Sequence, residues 1–171
     1  PRKNEAGEDI LYERVENLLL QGSRLWVPNI TGEIMAYFGK HPERMREMPP
    51  RKFEELIASI FKNQGFDVEL TPETRDGGFD VLAVNKAGLT GGSIYLVECK
   101  RYAADRKVNV GVVRSLLGVV VDQNAKKGIL ATTSFFTRDA KQLEKRNQSM
   151  LSLGDYDTVV GWLHEKKLLA G

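Results

Sequence analysis

The most constraining stretch of this sequence lies between Arg51 and Lys100, where one helical apolar stripe is followed by three short β-type runs. Phe53, Leu56, Ile57, Ile60 and Phe61 recur at the spacing of a single helix face, and Gly65 supplies a stop. At about 100° per residue, Glu55 points off that stripe while Glu54 lies at its margin. Glu54 is therefore the acid that can look along the core boundary. Residues 66–70, 79–84 and 94–100 are rich in β-branched and aromatic side chains, and the segments between them carry Gly, Pro, Asp and Thr in turn-forming combinations.

Beyond Lys100 the signals alternate. Asn109 caps a predicted helix running through Val121, and residues 128–132 read as a buried strand. Thr137 starts a helix to about Gln148, residues 151–153 add a short strand, and Asp155 or Asp157 caps a last helix carrying Val159, Val160 and Trp162. This order predicts an α/β fold with helices on both faces of a central mixed sheet of four to five strands. Before Arg51 the reading is helical. Ile10, Leu11, Val15, Leu18 and Leu19 suit a helix over 8–21, Thr31 a cap for a helix with Ile34, Met35 and Phe38, and Pro42 the start of another through Met48. Pro49-Pro50 punctuates the chain. Residues 1–48 are thus expected to be a helical N-terminal extension or linker, and 49–171 the main domain.

With 171 residues, 42% of them apolar, the chain can bury one substantial core. Its net charge of +2 is too mild to identify a nucleic-acid protein. The distribution says more, because the stretch 99–114 holds Lys100, Arg101, Arg106, Lys107 and Arg114 against Asp105 alone. Cys99 is the single cysteine, which excludes an internal disulfide and a multi-cysteine zinc site and fits a reducing, cytoplasmic setting. No apolar run is long enough to span a bilayer, so no membrane is expected. The chain starts at Pro1 rather than Met, which leaves room for a missing specificity domain.

The chemistry gathers around the second and third β-type runs. Counting inward from Asp80 and Glu98 meets in the glycine-rich turn between them, so a regular hairpin sets these two carboxylates opposite each other. Opposed side chains have Cβ atoms about 4.5–5.5 Å apart, where two anions repel unless a positive group lies between them. Oxygen donors without a His or Cys cluster suit Mg2+, with Mn2+ as substitute, better than zinc. By the period of two, Glu98 and Lys100 share a face while Val97 and Cys99 take the other. Lys100 can then orient or help deprotonate an attacking water and offset phosphate charge, and the main-chain carbonyl of Cys99 is a further candidate ligand. These are the needs of phosphodiester hydrolysis.

Glu54 in a helix, Gly78-Phe79-Asp80 and Glu98-Cys99-Lys100 together resemble the PD-(D/E)xK nuclease superfamily. Phe53-Glu54, Gly65-Phe66, the loop from Thr71 through Asp80, Glu98-Cys99-Lys100-Arg101 and Thr132-Thr133-Ser134-Phe135-Phe136-Thr137 resemble, more narrowly, the Mrr-type restriction endonuclease catalytic domain, over roughly residues 50–165. The resemblance implies a restriction-endonuclease-like α/β/α sandwich and Mg2+-dependent cleavage of double-stranded DNA. It also implies metal binding at Asp80 and Glu98, Lys100 as catalytic lysine, and Glu54 as a helix carboxylate that serves a second metal, in that case through water. Phe79 stands where the superfamily name has Pro, which leaves the ligand positions intact. Restriction of foreign or modified DNA is the expected role. A structure-selective junction or repair nuclease on the same core and a non-catalytic DNA-binding module are the alternatives.

A lone Glu-x-Lys on a strand usually marks a solvated face; the pairing with Asp80 gives this one its weight. Arg75, Arg101, Arg106, Lys107 and Arg114 are candidate phosphate contacts, although charged loops are commonly just surface. Asp76 suits a turn, and Gly118 suits close helix packing. His41 and His164 read as surface, and Trp26 and Trp162 as core or interface. Cutting both strands of a duplex ordinarily takes two such centres, so a homodimer is expected.

Overall fold

Three of the helix starts expected from the sequence are made by side-chain caps, which satisfy N–H groups that a helix leaves without internal partners. The Asn109 side chain accepts from the Val112 N–H at 3.2 Å, Thr137 from Ala140 N–H at 3.3 Å, and Asp155 from Thr158 N–H at 3.0 Å. The computed structural model describes residues 32–72, 77–85 and 92–165. The helix expected over 8–21, the Thr31 cap, Trp26, Asp76 and Arg75 lie outside these residues.

In chain order the elements are α1 (Gly32–Lys40), a 3-10 helix (Pro42–Glu47), α2 (Pro50–Asn63), β1 (Asp67–Leu70), β2 (Val81–Asn85) and β3 (Ser93–Lys100). They continue as α3 (Val110–Asp122), β4 (Lys127–Thr132), α4 (Arg138–Arg146), β5 (Leu151–Gly154) and α5 (Tyr156–His164). Pro42 opens the 3-10 helix as a residue whose missing N–H costs nothing there. The segment expected as an α-helix through Met48 is this tighter turn.

The five strands lie in the order β1-β2-β3-β4-β5. β1, β2 and β3 are antiparallel, whereas β3, β4 and β5 are parallel and are joined by the α3 and α4 crossovers. Strand β3 is thus the seam between the two halves. It is also the longest strand, with eight residues.

Because side chains alternate along a strand, the sheet has two apolar faces. One face carries Val81, Ala83, Val97, Cys99, Ile129 and Ala131 and packs against Phe53, Leu56, Ile57 and Phe61 of α2, with Val159 and Leu163 of α5. Ile34, Phe38, Met45 and Met48 belong to the same cluster, so residues before Pro49 help to close this core. The other face carries Leu130 and Leu151 and packs against Val113 and Leu116 of α3, with Ala140 and Leu143 of α4. This is the α/β/α sandwich around a mixed sheet that the element order implies. Trp162 sits edge-on to Phe61, with ring centroids 5.8 Å apart, as a core reading of that residue expects. Gly118 departs from its expected packing role: a Cβ added there meets nothing within 4 Å. It lies on the exposed side of α3, opposite the buried Val113, Leu116 and Val120.

Gly78 is the glycine that the site requires. Its φ of +76° is left-handed, and a Cβ there would come 2.6 Å from Val119 Cγ2 on α3. The chain leading into Asp80 therefore leans directly on α3. Gly78→Ala is expected to cost about 1–3 kcal/mol through backbone strain and overpacking. Gly77→Ala, whose Cβ would meet only Phe79 at 3.8 Å, is expected to be near neutral. Thermal melts of the two variants check the difference.

Candidate active site

Pairing of β2 with β3 sets Val81 against Val97, and the same register carries Asp80 alongside Glu98. Asp80 stands one residue before β2, with its N–H donating to the Val97 carbonyl at 2.8 Å. Its carboxylate reaches further along β3 and accepts the Cys99 N–H at 2.7 Å. Val81 and Val97 face the α2 core, so their neighbours Asp80 and Glu98 share the opposite face. Lys100 follows two residues after Glu98, and its Nζ lies 2.8 Å from Glu98 Oε1. The Cys99 side chain points into the α2-side core, where burial and the surrounding carboxylates push the thiol well above its usual range. The expected division of β3, with Glu98 and Lys100 on one face and Val97 and Cys99 on the other, is the one observed.

The electrostatics explain what this arrangement wants. Burial raises the carboxyls of both Asp80 and Glu98 above the ordinary carboxylate value, despite the Cys99 N–H at the first and Lys100 at the second. Desolvation lowers Lys100, but the hydrogen bond and ion pair with Glu98, together with the Tyr102 and Asp80 fields, leave it raised. The two partners of this bridge therefore shift in the same direction. One ammonium serves two carboxylates: it gains from both, and neither is fully compensated. Beside them Arg51 and Glu54 form a 2.8 Å ion pair of zero net charge. Summed over these five described side chains, the group carries one excess negative charge in a partly buried setting, which is the kind of demand a cation meets.

The donors fit such a cation. Two carboxylates, with the Cys99 carbonyl expected beside them, form an all-oxygen set suited to a hard divalent ion that completes its shell with water. Among the described residues no group of three or more His, Cys, Asp or Glu converges to hold a metal.

Glu54 lies on α2, 17% exposed at the side chain, and is joined to the pair through Arg51. One Arg51 nitrogen, Nη1, donates to Glu54 Oε2 and to the Thr71 carbonyl, both at 2.8 Å. Thr71 in turn donates its N–H to the Asp80 carbonyl at 2.9 Å and its hydroxyl to the Phe79 carbonyl at 3.0 Å. Arg51 also helps to hold the Asp80 carboxylate in its charged form. Sequence reading misses Arg51, since an arginine in a first helical turn looks like solvated surface. Its partner Thr71 lies 20 residues away. Glu55, which the helical spacing sets off the apolar stripe, pairs with Lys52 at 3.2 Å and exposes only 14% of its side chain.

On the far side of Lys100, three consecutive hydroxyls anchor the following loop. Thr132, Thr133 and Ser134 are fully buried. They donate to the carbonyls of Lys100 at 2.6 Å, Tyr102 at 2.7 Å and Ala104 at 3.3 Å. A buried hydroxyl is costly unless bonded, so this run of small polar residues matches the carbonyls of the loop it supports.

The basic residues separate. Arg106, Lys107 and Arg114 are exposed. Arg101 turns inward, donating from Nη1 to the Arg46 carbonyl at 2.9 Å, with its Nε buried and without a hydrogen-bond partner. It braces the 3-10 helix instead of standing in the outer rim suggested by charge alone. His41 is part-exposed and His164 exposed, neither near the carboxylates in sequence. No described helix is long and apolar enough to cross a membrane.

This fold and paired-carboxylate site define the chain as a restriction-endonuclease-like domain of the nuclease class. The restriction endonuclease family (Mrr_cat) matches residues 45–163, well over half of the chain, and the chain belongs to that family. It is 29% identical to the uncharacterized protein y4cE of Sinorhizobium fredii (strain NBRC 101917 / NGR234), over 94% of this chain and 46% of that protein. It is 28% identical to the type IV methyl-directed restriction enzyme EcoKMrr of Escherichia coli (strain K12), over 64% of this chain and 36% of that enzyme. The chain thus spans less than half the length of the curated relatives it matches. Among solved structures, the DNA modification-dependent restriction endonuclease AspBHI shares the fold with a TM-score of 0.62 and 20% identity, over 94% of this chain and 45% of that one. Restriction endonuclease FokI shares it at a TM-score of 0.53 and 10% identity, over 95% of this chain and 32% of that one.

The raised carboxyls carry a consequence for stability. A carboxyl whose folded pKa exceeds its unfolded value binds its proton more readily in the folded state, so its contribution to stability falls as pH rises through the interval between the two values. Asp80→Asn removes that cost while keeping an oxygen for the Cys99 N–H. Its melting temperature at neutral pH is expected to equal or exceed that of the unmodified chain, with the gap closing under acid. Circular dichroism melts across pH check this, and a large loss of stability at neutral pH contradicts it.

Proposed function

We propose that this chain is the cleavage domain of a Mg2+-dependent DNA endonuclease that hydrolyses phosphodiester bonds in double-stranded DNA, acting in restriction of foreign or modified DNA. The observation that carries the reading is the Asp80, Glu98 and Lys100 group at the β2–β3 seam, with its excess negative charge. Asp80, Glu98 and the Cys99 carbonyl would hold the ion, Mn2+ serving as substitute. When bound, Mg2+ supplies a Lewis acid that neutralises charge on the phosphate and acidifies water.

The residues have distinct tasks. Glu98 holds Lys100 in its ammonium form, so the lysine offers positive charge and N–H donors to the phosphate and to the attacking water rather than a free amine. The water oxygen bonds to phosphorus, the bond to the leaving oxygen breaks, and the water's proton passes to solvent or to a phosphate oxygen. Asp80, fixed through its carboxylate by the Cys99 N–H and through its backbone by Thr71, gives the site its rigid side. Glu54, engaged by Arg51, would act on the ion through that arginine or through water rather than as a direct ligand.

Modification-dependent restriction is favoured over junction or repair cleavage by the relatives, since EcoKMrr is described as methyl-directed and AspBHI as modification-dependent. The solved neighbour MspJI is a restriction endonuclease in complex with a 27-mer oligonucleotide, which supports DNA as the partner. A specificity module outside the nuclease core and a second copy for the opposite strand complete the proposed assembly, in the cytoplasm.

Plasmid nicking with Mg2+ tests the proposal. Asp80→Ala, Glu98→Ala and Lys100→Ala are each expected to lose at least about 10²-fold in rate while still folding. Wild-type cleavage by all three would overturn the assignment. Arg51→Ala, which acts one step removed, is expected to weaken Mg2+ affinity by about 10–100-fold, read by calorimetric titration.

A further inference from the structure

The loop that leaves β3 is held more firmly than an exposed basic loop needs for its own sake. Its carbonyls at Lys100, Tyr102 and Ala104 take the three buried hydroxyls of Thr132, Thr133 and Ser134. Arg106 N–H closes a turn onto the Ala103 carbonyl at 3.0 Å. At its far end Val108 is bridged to Phe136, with the Val108 N–H on the Phe135 carbonyl at 2.8 Å and the Thr137 N–H on the Val108 carbonyl at 3.0 Å. Within this frame the Arg106 guanidinium carbon lies 3.9 Å from the centroid of the Tyr102 ring.

A guanidinium stacked on an aromatic face keeps its N–H donors free in its own plane while its long side chain loses much of its freedom. Arg106 is exposed and has no ion-pair partner among the described residues. Tyr102 stands within electrostatic reach of Lys100. The loop therefore presents a fixed, uncompensated cation beside the group read above as the cleavage centre.

We propose that residues 101–107 form a preorganised phosphate grip, in which Arg106, held on the Tyr102 ring, binds a DNA backbone phosphate next to the one that Lys100 serves. The inference rests on the reading of this chain as a DNA endonuclease and assigns Tyr102 as the positioning residue for Arg106. Tyr102 itself does not contact the nucleic acid. The ordering entropy of Arg106 is spent during folding, so the phosphate contact costs less when DNA arrives. Being directed at the backbone, it carries no sequence preference.

Fluorescence anisotropy on duplexes of unrelated sequence, in EDTA and over a range of salt, separates the outcomes. Arg106→Ala is expected to weaken binding about tenfold on every sequence and to reduce the slope of log affinity against log salt by about 1. Tyr102→Phe, which keeps the ring, should bind like the native chain, while Tyr102→Leu should lose much of what Arg106→Ala loses. The double variant Tyr102→Leu/Arg106→Ala should lose little more than Arg106→Ala alone, because the ring acts through the arginine. Unchanged affinity and salt slope in Arg106→Ala, with a native chain that binds and nicks DNA, overturns this inference alone. Wild-type binding by Tyr102→Leu removes the positioning role. Failure of the native chain to bind DNA overturns both this inference and the functional reading beneath it.

Discussion

The hydrogen bond from the Cys99 N–H to the Asp80 carboxylate holds the site together. It crosses from the residue before β2 to the far end of β3 and fixes one acid of the pair while leaving the other, Glu98, to Lys100. Everything else supports the two strands that make this bond. Strand β3 is paired with antiparallel β2 on one side and parallel β4 on the other, so Glu98 and Lys100 stand on an interior strand, and Asp80 leads into β2 beside it. A site mounted at the edge of paired strands is held to a tighter geometry than one carried by a free loop.

Around that bond the molecule separates attraction from strain. On the α2 side, Arg51 and Thr71 secure the backbone at Asp80. On the β4 side, buried hydroxyls secure the backbone at Lys100. Among the described residues, the charged side chains between these two clamps sum to one negative charge. Natural folds that keep such an imbalance commonly do so at functional positions, at a cost in stability.

Much of this is legible from residue order alone. The opposition of Asp80 and Glu98 follows from counting around one hairpin, and the shared face of Glu98 and Lys100 from strand alternation. The caps at Asn109, Thr137 and Asp155 are equally local signals. What escapes is long-range and directional. Arg51 is an ordinary first-turn arginine until the fold brings Thr71 to it, and Arg101 is one basic residue among several until its side chain turns toward Arg46. Gly118 looks like a packing notch because composition does not say which side of an apolar helix faces the sheet. The Pro42 segment reads as α-helix because proline starts both helix types.

Cys99 lies between the two charged residues of β3 yet points the opposite way, into a closed apolar layer, with a thiol that resists ionisation. Oxidants and alkylating agents attack the thiolate, so burial and the raised thiol both disfavour reaction at β3 while its neighbours stay packed. Reaction of the Cys99 thiol with an alkylating agent therefore requires the central strand to part from α2, which ties the reactivity of this side chain to the packing behind the paired carboxylates.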